Sequence, residues 1–322
     1  MKKFLAMAGA LALAMSVGAG ASADTFTTQP TRVLVPFSAG GGLDLVARLM
    51  AAQLNTMWGQ PVVVDNKPGA GGIIASRELV ASKPDGHTLL VVAGGHALNP
   101  LIYKDVPYDT LKDFTPISVL VASGNVVLVP KDSPIKTIED VIALAKKTPG
   151  GLQYGTAGNG TSVHLSGELF AREAKVPMQP IHFKGDSDSL TALIGNHIPM
   201  SFNSLIGALP QIQKGQVRAI AVTSPKREAA LPDVPTVAES GVPGFDVVNW
   251  WGILGPAKIP PEIVAKLNKD IHAALSDPKS QERLKALGVS LDLSTPQQFS
   301  DLIAREMTRW APVVDAAGIK AQ

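Results

Sequence analysis

Short apolar segments alternate with longer helical segments along most of this chain, and this order constrains the fold more than any other feature. In the first part, strands are predicted at residues 32–36, 62–66 and 88–93, and helices at residues 43–57 and 73–82. The order predicts parallel strands joined by crossover helices, because each helix returns the chain to the same edge of the sheet. We therefore expect an α/β lobe.

The same alternation restarts beyond residues 116–130, an apolar stretch interrupted only by Ser123, Gly124 and Asn125. Further strands are predicted at residues 152–155, 178–182, 200–203 and 217–222, and helices at residues 138–147, 163–174, 189–195 and 206–213. An extended stretch at residues 245–256 precedes three helices at residues 261–275, 278–287 and 296–317. Because 322 residues exceed one ordinary core, we expect two α/β lobes.

The start of the chain has the pattern of a secretory signal peptide. Lys2 and Lys3 precede an apolar run over residues 4–17, and the small residues Ala21-Ser22-Ala23 follow it. A membrane anchor is a poorer interpretation, because the run is shorter than the roughly 20 residues that a membrane span needs. We expect a signal peptide over residues 1–23, cleaved after Ala23.

The composition excludes several classes of function. Loss of the signal peptide removes two of the 29 basic residues and leaves 27 basic and 27 acidic residues, so there is no electrostatic case for nucleic acid or anionic lipid. The absence of cysteine excludes disulfides, thiolate metal sites and cysteine nucleophiles. The sequence also lacks the serine-hydrolase and zinc-protease motifs, so we predict neither a metal nor a cofactor.

Three glycine-rich turns are the candidate binding features, at residues 38–42, 68–72 and 155–162. The third nearly matches a phosphate-binding loop, but Thr161 stands where the loop needs a lysine. The second lacks the last glycine of a dinucleotide-binding fingerprint, because Ile74 occupies that position. The main-chain N–H groups of such turns can still bind a smaller anion such as a carboxylate. Glycines after strands can also serve only to let the chain turn.

Several blocks of the sequence resemble one family. The stretch VPFSAGGGLDLVAR resembles the opening motif of the periplasmic solute receptors of tripartite tricarboxylate transporters, the Bug family. The likeness continues in VVVDNKPGAGG, SKPDGHTLL, GTAGNGTSVHLSGELF and WWGILGPAKIPPEIVAKLN. The resemblance implies a type II periplasmic binding protein, or Venus flytrap, with two α/β lobes joined by crossover strands at residues 119–129 and 247–254. It also implies a small organic carboxylate as ligand and delivery to a membrane permease of two further subunits.

On this resemblance, the first lobe comprises residues 24–122 and 250–322, and the second lobe comprises residues 123–249. We expect the protein to be a monomer with no catalytic residue. The ligand contacts implied in the first lobe are Phe37, Ser38, Ala39, Gly40, Gly41, Asp44, Gly95, His96 and Ala97. Those implied in the second lobe are Thr156, Ala157, Asn159, Gly160, Thr161, Ser162, Lys184, Gly185 and Asn203.

Four of these residues have a second interpretation. Lys184 could neutralise a second carboxylate of the ligand, but an exposed lysine on a loop is usually only solvated. Asp44 can stabilise the start of its helix instead of orienting a water against the ligand. His96 follows a strand at its carboxyl end, where α/β proteins bind ligands, but it lacks the partner that a general base needs. Asn203 stands where the family often has an aspartate, and its amide either changes the ligand preference or is neutral in effect.

Two other functions stay open on the sequence. The same two lobes could act as a periplasmic ligand sensor for a signalling partner, and no residue distinguishes this role from transport. An exported hydrolase or isomerase would have to use His96 with Asp44 or Asp186, and it lacks any recognisable motif.

Overall fold

Three parallel strands form the sheet of the first lobe in the computed structural model, which describes residues 28–37, 39–40, 42–183 and 185–319. They are β1 (Thr31–Val35), β2 (Val62–Asn66) and β3 (Thr88–Ala93), in the order β2-β1-β3. The helices that follow them are α1 (Gly42–Trp58), α2 (Ile73–Val80) and α3 (Gly95–Ile102). The predicted signal peptide and its cleavage site lie outside the described residues.

Both faces of this sheet are covered, which explains why its strands are almost continuously apolar. Val33 and Val35 of β1 share a core with Met50 of α1. Leu34 points to the opposite face and shares a second core with Leu79 of α2. The alternating side chains of one strand thus hold a helix on each side of the sheet.

Two long antiparallel strands join the lobes, β4 (Phe114–Pro130) and β9 (Val248–Pro256). β4 changes partners at Gly124. The residues up to Gly124 pair with β9, whereas those beyond it pair with β7 (Ser201–Ser204) and β8 (Val217–Val222). Since β9 also pairs with β3, one continuous sheet runs through both lobes.

The second lobe repeats the order of strands and helices. Its remaining elements are α4 (Ile138–Lys147), β5 (Leu152–Thr156), α5 (Ser162–Glu173), β6 (Met178–His182), α6 (Asp186–Ile194) and α7 (Leu205–Gln213). β5 pairs in parallel with both β6 and β7. One core forms around Phe202 and Val127, and another forms around Leu193 and Val126, so this sheet is also covered on both faces.

The last segment of the chain packs on both lobes. It contains α8 (Pro261–Ser276), α9 (Pro278–Ala286), the short strand β10 (Ser290–Leu291) and α10 (Pro296–Ala316). Near its start, α10 places Phe299 and Ile303 in the core of the first lobe. Near its end, α10 places Trp310 and Val313 in the core of the second lobe. This helix is therefore a third connection between the lobes.

Most elements lie where the sequence predicts them. The bounds of β2, β3, β6, β8 and α4 agree with the prediction. The other predicted elements differ by at most three residues at an end, except that the crossover strand expected at residues 119–129 begins five residues earlier, at Phe114. α3 is not predicted, because it begins at Gly95 and contains Pro100, and both residue types oppose helix formation. β10 is also not predicted, because its two residues are too few to give a pattern.

Candidate ligand-binding site

The glycine loops lie at the carboxyl ends of parallel strands. In the first lobe, the connections β1–α1 and β3–α3 leave the same edge of the sheet, and in the second lobe β5–α5, β6–α6 and β7–α7 do so. This edge is where open α/β sheets bind ligands. The predicted ligand-binding residues that the structure describes lie in these connections or near the ends of the strands and helices that they join. Ser38, Gly41 and Lys184 lie outside the described residues.

Asp44 organises the first loop from within the protein. Its side chain is 2% exposed, and its Oδ2 accepts hydrogen bonds from Gly40 N at 2.8 Å and Arg48 Nε at 2.9 Å. Its Oδ1 accepts a hydrogen bond from Asn66 Nδ2 at 2.9 Å, and Asn66 Nδ2 also donates to the Phe37 carbonyl at 3.0 Å. Burial raises the pKa of Asp44, but these hydrogen bonds outweigh it and leave the pKa below its usual value.

Replacement of Asp44 by alanine should lower the free energy of unfolding by roughly 2 kcal/mol, because Gly40 N and Asn66 Nδ2 lose their acceptor. The pKa of the native carboxyl is lowered, so this contribution should be complete above about pH 4 and should fade as the pH falls through the native pKa. Chemical denaturation of both proteins across a pH series measures the difference. A difference that stays constant down to the lowest pH would contradict the assigned role.

The second loop is held by hydroxyl groups and by a histidine. Gly158 N donates to Thr156 Oγ1 at 3.0 Å, and Thr161 Oγ1 donates to the Gly158 carbonyl at 2.7 Å. Thr161 also caps α5, since its Oγ1 accepts a hydrogen bond from His164 N at 3.3 Å. Gly160 N donates to His164 Nδ1 at 3.1 Å. The residue that replaces a phosphate-binding lysine is therefore a helix cap here.

A cluster of titratable groups lies beneath the second loop. His164 Nε2 is 3.5 Å from Glu168 Oε1, which also accepts a hydrogen bond from the Tyr154 hydroxyl at 2.7 Å. The His182 ring packs edge-on against the His164 ring, with centroids 4.6 Å apart. Burial, and then the neighbouring His164, lowers the pKa of His182. Burial raises the pKa of Glu168, but the hydrogen bonds from His164 and Tyr154 lower it overall.

The imidazole of His96 is turned into the first lobe. It stacks on Tyr108 at 5.7 Å between centroids, and it meets Phe114 edge-on at 4.8 Å. Its Nδ1 lies 3.4 Å from Ser76 Oγ, and its Nε2 has no hydrogen-bond partner among the described residues. Burial lowers the pKa of His96 to about 4, so the ring is neutral near pH 7. The side chain of His96 therefore belongs to the interior of the first lobe, so a ligand contact at this residue would have to come from its main chain.

Asn203 is buried at the end of β7 and is paired at both ends of its amide. Its Oδ1 accepts a hydrogen bond from Ser201 Oγ at 2.6 Å, and its Nδ2 donates to Asp186 Oδ1 at 3.0 Å. The amide thereby ties β7 to the start of α6, directly beside Gly185. Asn203 therefore joins β7 to α6, whether or not its amide also changes the ligand preference.

The two lobes meet at glycines of the two loops. A Cβ added at Gly42 would lie 2.8 Å from Trp251 Cη2 on β9 and 3.2 Å from Ile206 Cδ1 in the second lobe. A Cβ added at Gly160 would lie 2.8 Å from Ile102 Cδ1 in the first lobe. The absence of a side chain at both positions permits this close approach. The structure therefore shows the lobes in contact across the cleft.

The glycine turn at residues 68–72 packs within the first lobe instead. A Cβ added at Gly71 would lie 2.7 Å from the Tyr103 hydroxyl, and one added at Gly69 would lie 2.6 Å from Ile74 Cδ1. Both glycines also have positive φ, at 60° and 130°. For this turn, chain reversal and close packing account for the glycines without a ligand.

Three residues that shape the site are missing from the predicted set. Ile102 and Ile206 are apolar, and only the packing of one lobe on the other brings them to the glycines. Asn66, which holds Asp44 and the Phe37 carbonyl, does carry a signal in the sequence. It is a polar residue at the carboxyl end of a strand, which is the edge where ligand sites occur.

Other parts of the described chain offer fewer features of a binding site. A groove of about 700 Å³ between β9 and α10 contains none of the predicted ligand-binding residues. Over residues 28–319, apart from the undescribed positions, no group of three His, Asp or Glu could hold a metal ion. None of the described helices combines the length and the hydropathy that a membrane span requires.

Comparison with known proteins identifies one family. The model of the tripartite tricarboxylate transporter family receptor matches residues 46–319. BugT of Bordetella pertussis is 33% identical over 325 residues, covering 99% of both chains. The structure of Rhodopseudomonas palustris Rpa4515 with adipate has a TM-score of 0.82 and 34% identity, covering 91% of this chain and 99% of that one. MatC from Rhodopseudomonas palustris with bound malate has a TM-score of 0.78 and 33% identity, covering 89% of this chain and 99% of that one. These structures confirm the predicted two-lobe fold.

Proposed function

Because the chain belongs to the tripartite tricarboxylate transporter receptor family of periplasmic solute-binding proteins, we propose that it binds a small organic carboxylate between its lobes and delivers it to a two-subunit membrane permease. Receptors of this family bind solutes and are not enzymes, which removes the hydrolase and isomerase hypotheses. The proposal includes cleavage after Ala23 and action as a monomer. Support for the cleavage comes from the basic, apolar and small-residue segments at the start of the chain.

The contacts that each glycine loop makes with the opposite lobe carry this proposal, namely Gly42 with Ile206 and Gly160 with Ile102. Gly42 begins α1 in the first lobe, and Gly160 precedes α5 in the second, so the positive ends of two helices lie at the cleft. An anion held there gains contacts with both lobes only when they close. The solved structures with adipate and malate hold small carboxylates, which supports the same ligand class for this chain.

The predicted contacts form the proposed site, with lobes at residues 24–122 with 250–322 and at residues 123–249. Within it, Gly40 N and Gly160 N already donate to Asp44 and His164. In this proposal those two amides fix the shape of the loops. The ligand then binds to the rest of the loop main chain and to bridging waters.

A bound acid in the purified protein is the expected result of the first test. Protein taken from the periplasm without denaturation should carry a small organic acid in native mass spectrometry. After unfolding, dialysis and refolding, the same acid should bind again in calorimetry, and the radius of gyration in small-angle scattering should fall on saturation. Chemical conversion of the acid would contradict a receptor, and an unchanged radius would contradict closure.

Transport and sensing are separated by a second measurement. Membrane vesicles that contain the permease should accumulate the labelled acid only when the receptor is added. If addition of the receptor leaves uptake unchanged, the delivery step is wrong and the sensor hypothesis is favoured.

A further inference from the structure

Asp186, the first residue of α6, places a carboxylate on the second-lobe side of the proposed site. Its Oδ1 accepts hydrogen bonds from Asn203 Nδ2 at 3.0 Å and from Ser204 N at 3.2 Å. Its Oδ2 accepts a hydrogen bond from Ser204 Oγ at 2.5 Å. The carboxylate of Asp186 thus accepts hydrogen bonds from the side-chain amide of Asn203 and from the main-chain amide and hydroxyl of Ser204, all at the end of β7.

Two helices begin beside this carboxylate. Asp186 opens α6, and Ser204 is the N-cap of α7, where its Oγ accepts a hydrogen bond from Gly207 N at 3.4 Å. A Cβ added at Gly207 would lie 3.3 Å from Asp186 Cβ. Because the start of a helix is partly positive and attracts anions, the carboxylate of Asp186 counterbalances both starts.

The surroundings place this negative charge at the cleft. Ile206, in the first turn of α7, is the second-lobe residue that approaches Gly42 of the first lobe. Gly185, directly before Asp186, is one of the proposed ligand contacts. Burial raises the pKa of Asp186 above its usual value, although the Ser204 and Asn203 hydrogen bonds lower it in part, and no cation among the described residues contributes. The amide of Asn203 donates to this carboxylate, whereas an aspartate at position 203 would repel it.

We propose that Asp186 determines specificity: its carboxylate occupies the α6 and α7 side of the cleft, so the receptor selects a monocarboxylate whose far end is neutral or cationic and rejects dicarboxylates. This inference rests on the proposed function. The acid group of the ligand binds at the α1 and α5 loops, and its far end lies toward Asp186. A second carboxylate there would meet the like charge of Asp186, which costs affinity. No cation among the described residues offsets that charge, and Lys184 lies outside those residues. The Rpa4515 and MatC structures, by contrast, hold the dicarboxylates adipate and malate.

Matched acids and a matched variant test this inference. Calorimetry compares hexanoate, 6-aminohexanoate and adipate, and also benzoate with terephthalate, for the wild type, Asp186→Asn and Asp188→Asn. Asp186→Asn removes the charge and keeps an oxygen acceptor for Asn203 and Ser204. Asp188→Asn removes an equal charge from the exposed face of the first turn of α6 and is the control. Thermal unfolding of all three proteins shows whether each variant is folded.

We expect the wild type and Asp188→Asn to bind each monocarboxylate at least roughly tenfold more tightly than the matched dicarboxylate. In Asp186→Asn the affinity for the dicarboxylates should rise by about tenfold, and the preference for 6-aminohexanoate over hexanoate should disappear. Two results would overturn the role of Asp186 but not the carboxylate receptor. One is equal affinity for the paired acids in the wild type, and the other is a ratio of monocarboxylate to dicarboxylate affinity that Asp186→Asn leaves unchanged. Absence of binding for every acid by all three folded proteins would overturn the carboxylate receptor and, with it, this inference.

Discussion

Replacement of Gly42 by valine should weaken carboxylate binding by about 100-fold while the protein still folds. A Cβ at this position would lie 3.2 Å from Ile206 Cδ1 across the cleft and 2.8 Å from Trp251 Cη2, and valine adds two further methyl groups. The lobes then cannot close to the distance seen in the structure, so the ligand loses the contacts of one lobe. Calorimetry measures the affinity, and small-angle scattering shows whether the saturated variant stays open.

A second substitution separates closure from damage within the first lobe. Truncation of Ile206 to alanine removes the atoms that oppose position 42 across the cleft, so Gly42→Val with Ile206→Ala should recover at least about tenfold in affinity. Gly42→Ala should lie between the wild type and Gly42→Val, because it adds one carbon atom. Wild-type affinity in Gly42→Val would show that this contact does not control binding. A double variant as weak as Gly42→Val would assign the loss to Trp251 instead.

Replacement of His96 by phenylalanine should remove a large part of the acid sensitivity of folding. Burial lowers the pKa of His96 from 6.5 to about 4, so the unfolded chain binds a proton between these values that the native protein does not. The contribution of the neutral imidazole to the free energy of unfolding should therefore be complete above about pH 6.5. It should fall by roughly 3 kcal/mol as the pH decreases to about 4. Phenylalanine keeps a ring against Tyr108 and Phe114 and has no proton to bind.

Urea denaturation of the wild type and His96→Phe across that pH range measures the effect. The other histidines with lowered pKa, His182 and His272, titrate in both proteins, so the difference between the two curves reports His96. Any excess in the free energy of unfolding of the wild type over that of His96→Phe should shrink, or change sign, as the pH falls. Parallel curves would mean that the native imidazole becomes protonated without cost, and its assigned burial as a neutral ring would be wrong.

The sequence predicts the strands and helices of this fold well because the local preferences of the residues agree with the packing that they find in the folded protein. β3 and β8 are short, apolar and rich in branched residues, and their observed bounds match the prediction. α3 escapes prediction because Gly95 and Pro100 disfavour an isolated helix, whereas packing of Ala97 and Leu98 in two different cores stabilises it in the protein.

The site is only partly predictable, because its contacts depend on distances between lobes. The glycines at positions 42 and 160 are visible in the sequence, but Ile206 and Ile102 opposite them look like ordinary core residues. The neutral, aromatic environment of His96 is equally hidden, since Tyr108 and Phe114 belong to segments without a local motif. The glycines of a turn also do not reveal in the sequence which turns pack closely within one lobe, as the turn that contains Gly71 does.

The position of β9 between β3 and β4 determines the order in which the parts of the sheet in the two lobes can be completed. Leu90 of β3 pairs with Leu254 of β9, and the whole second lobe lies between them in the chain. Strands β5 to β8 come from one continuous stretch, so their pairing closes shorter loops and should be faster. During folding, the edge of β3 therefore remains unpaired until β9 arrives, although β3 is synthesised first. This interval, with an apolar strand edge exposed, is the stage at which a newly made chain is most prone to aggregate.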